Sequence, residues 1–129
     1  MDVKDLDGVA LFSSLSKSEL ERIAQYADEV SVPEGEVLAS EGRFAHEFFV
    51  IQQGTAEVRH DGRVINELGP NDFFGEIGLV EGDRRTATVV ATTPMRVIVM
   101  FQREFRAMEH DMPEVADRIH AAIRARLAD

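Results

Sequence analysis

Between Glu29 and Phe101 the apolar residues come in short runs, cut at regular intervals by turn residues, and this spacing leaves few folds open. Val30 and Val32 alternate with polar neighbours before the turn Pro33-Glu34-Gly35-Glu36. Val37-Leu38 resume, and Glu41-Gly42 turns again. Phe48-Phe49-Val50-Ile51 is a continuous apolar run, the pattern of a strand buried on both faces. Gly54 ends it, Thr55 to His60 alternate, Asp61-Gly62 marks a tight hairpin, and Arg63 to Leu68 return. Gly69-Pro70-Asn71-Asp72 then turns into a glycine- and charge-rich stretch. Beyond it Ala87, Val89 and Ala91 alternate with Thr86, Thr88 and Val90, and Arg96 to Phe101 form a last strand after Thr92-Thr93-Pro94. Strands this short, at this spacing, predict a mainly β antiparallel sandwich or jelly roll.

The flanks have a different period. Val9, Leu11, Phe12 and Leu15 form an apolar patch, and Ser16-Lys17-Ser18-Glu19 has the spacing of a capping box. Leu20, Ile23, Ala24 and Ala27 follow at helical intervals, predicting a helix over 17–27. Residues 102–110 read as helix, with Phe105 and Met108 on one face. Pro113 suits the first turn of another helix, whose stripe of Val115, Ile119, Ala122, Ile123 and Leu127 runs along 113–128. The expected organisation is one domain over 1–129: helices within 5–27, a β-roll over 28–101, and C-terminal helices over 102–128.

Composition removes several function classes. The chain has no cysteine, so disulfides, thiolate metal sites and cysteine nucleophiles are excluded. Its net charge of −10 opposes wrapping a phosphate backbone, and a bound anion must be attracted locally against the overall field. No apolar run reaches membrane-spanning length and no export signal opens the chain, so the expected location is cytoplasmic.

The chemistry concentrates in residues 74–87, Phe-Gly-Glu-Ile-Gly-Leu-Val-Glu-Gly-Asp-Arg-Arg-Thr-Ala. Gly75 allows close backbone approach to a ligand, and the amides of a short helical turn after it are donors aimed at negative charge. Arg85 adds a guanidinium fork that fits two phosphate oxygens. Glu76 is no phosphate ligand, but its carboxylate can accept from a sugar hydroxyl. The stretch is built for a small anion that also carries hydroxyls.

Phe-Gly-Glu-x-Gly-Leu followed after a short loop by Arg-Thr-Ala-Thr-Val resembles the phosphate-binding cassette of cyclic-nucleotide-binding domains. These are the modules of catabolite-activator-type regulators, cAMP-dependent kinase regulatory subunits and cyclic-nucleotide-gated channels. The Pro-x-Gly turn, the Phe-Val-Ile run and the Gly-x-x-Asp-Phe before the cassette follow in the family's order. The resemblance implies an eight-stranded antiparallel jelly-roll barrel flanked by N- and C-terminal helices. It implies a cyclic phosphate and ribose site at Phe74, Gly75, Glu76, Ile77, Gly78, Leu79, Arg84, Arg85, Thr86 and Ala87. Within it Gly75 and the amides of Thr86 and Ala87 hold the phosphate, Arg85 neutralises it and Glu76 takes the ribose hydroxyl. The base is expected against Val58, Val64, Leu68 and Val89. Arg118, Ile119 and Ile123 are candidate caps over it, although a solvated helix face with pairs such as Glu114 with Arg118 is the preferred reading of the arginine.

The implied function is a ligand-sensing regulatory module and not an enzyme. It takes cAMP in preference to cGMP, with a Thr86 hydroxyl able to meet a guanine amino group, and it needs no cofactor or metal. No helix-turn-helix follows the cassette, so DNA binding by this chain is not expected. Its partner would be an effector protein or a second copy, engaged through 113–128. Two other readings differ in class. A ligand-independent jelly-roll interaction module would keep the fold without the nucleotide. A cupin-type metalloenzyme would need a His-x-His pair with a carboxylate close behind, and His46 and His60 do not form one.

Overall fold

The computed structural model describes residues 6, 8–43, 46–75 and 85–128, the last three of these by their backbone only. A 3-10 turn at Ala10–Phe12 and helix α1 (Lys17–Ile23) lead into β1 (Asp28–Val32), β2 (Val37–Ala39), β3 (Glu47–Gln53), β4 (Ala56–His60) and β5 (Arg63–Leu68). β6 (Phe73–Phe74), β7 (Thr88–Ala91) and β8 (Met95–Phe101) complete the strands, and α2 (Gln102–Asp111) and α3 (Pro113–Ala128) close the chain.

Among the described residues the eight strands form two antiparallel sheets, ordered β1-β8-β3-β6 and β2-β7-β4-β5. This is the eight-stranded antiparallel jelly roll expected from the sequence, built as a pair of facing sheets that do not close into a barrel among the described residues. Strand alternation sorts its core into two layers. From β3 and β8, Phe49, Ile51, Val97 and Val99 point between the sheets and meet Phe74, Val89 and Ala91. Phe48, Val50, Ile98 and Met100 point the other way, onto Phe12, Ile23, Phe105, Met108, Val115 and Ile119 of the helical layer. This double burial is why β3 reads as an unbroken apolar run.

The capping box forms as expected: the Glu19 amide donates to Ser16 Oγ at 3.2 Å and the Ser16 amide donates to Glu19 Oε1 at 2.9 Å. The helix behind it stops at Ile23, four residues short of the expected 27. Gln25 and Tyr26 donate to carbonyls only three residues back, tightening the end into a turn, and Asp28 is already paired with Val99 in β1. Sheet pairing overrides the helical spacing of Ala24 and Ala27 there. At the hairpin, Asp61 and Gly62 both have positive φ, 51° and 77°, as a two-residue connection of right-twisted strands requires.

Candidate functional site

β6 is only two residues long, yet it touches both layers. Phe74 stacks on Phe49 in the inter-sheet core, ring centroids 4.7 Å apart, while Phe73 packs on Phe48 at 5.6 Å against the helical layer. The strand delivers Gly75 at φ +85°, a left-handed conformation that disfavours any side chain. Space imposes the same demand. A Cβ on Gly75 would overlap Arg85 Nη1 and stand 2.6 Å from the Glu47 carbonyl oxygen. Arg85 Nη2 donates to that same carbonyl at 2.6 Å, so glycine, guanidinium and β3 backbone form one packed knot.

The segment that carries Arg85 is held from outside by the β2–β3 turn. The Arg85 amide donates to Arg43 O at 2.7 Å, and Arg85 O accepts from the Gly42 amide at 2.9 Å. Thr88 Oγ1 accepts from the Glu41 amide at 3.0 Å. His60, at the end of β4, places Nδ1 3.1 Å from Thr86 O and 3.0 Å from Glu41 Oε1, while Nε2 lies 3.4 Å from Asp61 Oδ2. These acceptors raise the imidazole pKa above its ordinary value, the Thr86 carbonyl foremost and then Asp61 and Glu41. Glu41, His60 and Asp61 bring one ligand atom each within 4.8 Å of one another, all three side chains exposed.

Gly75 and Arg85 sit at one end of an open cleft of ≈ 240 Å³ between β6 and the inner face of β2-β7-β4-β5. Val58, Leu68 and Val89 give it apolar walls, with Thr86 and Ala87 beside the arginine. Arg85 is the only charged side chain among the described residues that line it. The shape and lining suit a ligand with an anionic end and a flat apolar end, and Arg85 is a local positive charge in an acidic protein.

Of the residues singled out from sequence, Phe74, Gly75, Arg85, Thr86, Ala87, Val58, Leu68 and Val89 come together on this cleft. Val64 does not line it and is 51% exposed. The β4–β5 pairing slips at Val58/Arg59, so Val58 opposes Asn66 but Arg59 opposes Val64. That irregularity puts Val64 out of phase with Asn66 and Leu68. Glu76, Ile77, Gly78, Leu79 and Arg84 lie outside the described residues. Arg118, Ile119 and Ile123 are placed in the helical layer and not on the cleft: both isoleucines are buried there. Arg118 pairs with the Glu19 carboxylate and donates to Ser14 O at 3.2 Å. Ala39, Asn66 and Phe73 also line the cleft and were not anticipated. Asn66 was within reach, because strict alternation back from Leu68 puts it on the same face.

Fold and cleft together suit a small ligand with an anionic end, and the comparisons give the family of the fold. The family model described as cyclic nucleotide-binding domain matches residues 29–111, and the chain belongs to that family. It is 32% identical over 111 residues to a cyclic nucleotide-gated potassium channel of Rhizobium etli, covering 86% of this chain and 31% of the channel. To a cAMP-dependent protein kinase regulatory subunit of Mycosarcoma maydis it is 32% identical over 124 residues, 89% of this chain and 24% of that protein. Among solved structures, the Thermus thermophilus catabolite activator protein superposes with a TM-score of 0.79 at 25% identity, over 92% of this chain and 58% of its own. The chain thus spans a third or less of the curated relatives it matches here.

Proposed function

We propose that the chain binds a cyclic nucleotide in this cleft, cAMP in preference to cGMP, and acts as a regulatory module whose flanking helices respond to the ligand. The observation that carries the reading is the Gly75–Arg85 knot at the mouth of an apolar cleft. In it the phosphate lies against the guanidinium and the amides of Thr86 and Ala87, where two N–H···O⁻ bonds from Arg85 meet two phosphate oxygens. The base lies along Val58, Leu68 and Val89, with the Asn66 amide and Thr86 hydroxyl near its polar edge. Glu76 takes the ribose hydroxyl. Binding, not catalysis, is the activity, in a cytoplasmic setting and with no DNA contact by this chain.

β6 supports the regulatory half of the reading. Phe73 lines the cleft and packs on Phe48 of the helical layer, so a shift of the strand at Gly75 is felt by both. The turn before it is tied to the N-terminal segment, since the Ala10 amide donates to Asn71 Oδ1 at 3.2 Å. A ligand moves the helices only if it binds one arrangement more tightly, and a useful switch needs a few kcal/mol of such preference. Capping of the base by Arg118, Ile119 or Ile123 requires α3 to leave its present seat. Pairing with an effector or a second copy through 113–128 by way of Val115, Ile119 and Ile123, which are buried, requires the same.

One observation favours a second reading. The Arg85 guanidinium already bonds to a backbone carbonyl, as a purely structural arginine would, and a ligand-independent interaction module needs no more. Thermal unfolding with saturating cAMP, cGMP and linear AMP separates the two. A ligand bound only by the folded chain adds about 2.7 kcal/mol at a hundredfold excess over Kd. Stabilisation by the cyclic nucleotides alone, cAMP more than cGMP, is the expected result. Equal midpoints without ligand and with each of the three nucleotides would leave the interaction module.

A further inference from the structure

His60 stands outside the cleft, yet its ring is bonded to the backbone that forms the phosphate end. Three acceptors surround its two nitrogens: Thr86 O and Glu41 Oε1 at Nδ1, and Asp61 Oδ2 at Nε2. A neutral imidazole has a single N–H. With the proton on Nε2, the Nδ1 lone pair faces a carbonyl and a carboxylate. With the proton on Nδ1, the Nε2 lone pair faces Asp61. The doubly protonated ring serves both sides, whereas the neutral Nδ1–H tautomer keeps the contacts to Thr86 O and Glu41 and gives up the ion pair with Asp61.

We propose that His60 is a positioning residue for the cyclic phosphate: its Nδ1–H clamps Thr86 O between the β4–β5 hairpin and Glu41, and as imidazolium it adds a positive charge beside the 85–88 segment, so that its deprotonation weakens ligand binding. The proposal rests on the cyclic-nucleotide reading of the cleft and adds a pH dependence to it. The groups facing the ring are Glu41 from the β2–β3 turn, Asp61 from the β4–β5 turn and Thr86 O from the cassette, with Arg63 opposite His60 in the β5 register. Glu41 acts twice, since its amide also holds Thr88 Oγ1 beside the Arg85–Arg43 and Gly42–Arg85 backbone pairs. The raised pKa of His60 agrees with this geometry. Deprotonation removes the positive charge next to the phosphate segment and the ion pair with Asp61, while the Nδ1–H tautomer keeps the bond to Thr86 O. A cyclic phosphodiester keeps one negative charge throughout the neutral range, so the ligand contributes no titration of its own.

Titration calorimetry with cAMP from pH 5.5 to 9, in a chelating buffer, on the wild-type chain and on His60→Gln and Glu41→Gln, tests this. The expected wild-type Kd rises by roughly threefold or more as the pH passes the His60 pKa, the scale of an exposed charged contact. His60→Gln can keep one donor to Thr86 O, so it should fold and bind with a pH-independent Kd. Glu41→Gln should shift the transition to lower pH. Equal pH profiles for wild type and His60→Gln overturn the inference while leaving the binding reading intact. Absence of binding in all three proteins at every pH overturns the binding reading itself, and the clamp's role in it.

Discussion

At the scale of single residues, the site depends on what Gly75 lacks. Any side chain there meets the Arg85 guanidinium and the Glu47 carbonyl, and the backbone is in the left-handed region besides. Gly75→Ala is expected to destabilise the fold by about 1–3 kcal/mol through strain alone. Because the methyl displaces Arg85, it should also remove cAMP-dependent stabilisation; urea titration reads the first effect and the ligand-induced thermal shift the second. Arg85→Ala should differ from it. The truncated side chain leaves the Arg85–Arg43 and Gly42–Arg85 backbone pairs in place, so the fold is expected to persist while cAMP affinity drops by at least a hundredfold, the loss of about 3 kcal/mol expected for a charge-assisted pair. Full affinity in a folded Arg85→Ala protein contradicts its role as the phosphate clamp.

At the scale of elements, α1 shows how a short helix is held by its ends. It has seven residues, too few for independent stability, and relies on the Ser16–Glu19 box and on burial of Leu20 and Ile23. Ser16→Ala should cost about 1 kcal/mol of global stability in urea unfolding. Glu19 serves twice, since the Arg118 guanidinium on α3 and the Ser16 amide together hold its carboxyl down to about 2. A folded pKa below the unfolded value of 4.5 means stability that is complete above that value and lost as the pH falls toward 2. Arg118→Gln should therefore be less stable than the wild type near neutrality, where the pair contributes in full, and the difference should close as the pH falls toward 2; urea unfolding at the two pH values reads it. The capping box was legible in four consecutive residues. The Arg118–Glu19 pair was not, because the partners lie 99 positions apart and sequence offered Arg118 a nearer acid in Glu114.

At the scale of the molecule, two core layers meet at β3, β8 and β6, and the cleft opens where β6 ends. Phe73 is the side chain that belongs to both cleft and helical layer. Shortening it with Phe73→Leu keeps the position apolar but removes the ring contact with Phe48. cAMP should still bind, while hydrogen exchange in α2 and α3 should respond less to the ligand than in the wild type. An unchanged response would move the coupling to another route, the Ala10–Asn71 tie being the nearest.

The succession of strands along the chain, the turns between them and the capping box were all written in local sequence, because each depends on neighbours a few residues apart. A period of two, a turn dipeptide and a capping pair act over that range and need no knowledge of the rest of the chain. The remainder depended on distant partners. The slip in β4–β5 pairing turned Val64 away and brought Asn66 to the cleft, and sheet pairing at Asp28 ended α1 early. Packing buried Ile119 and Ile123 in the helical layer, and the roll folded His60 onto the carbonyl of Thr86. Register slips and side-chain partners across tens of residues arise from the competition among all the surfaces the chain must bury at once, and only the assembled structure resolves that competition.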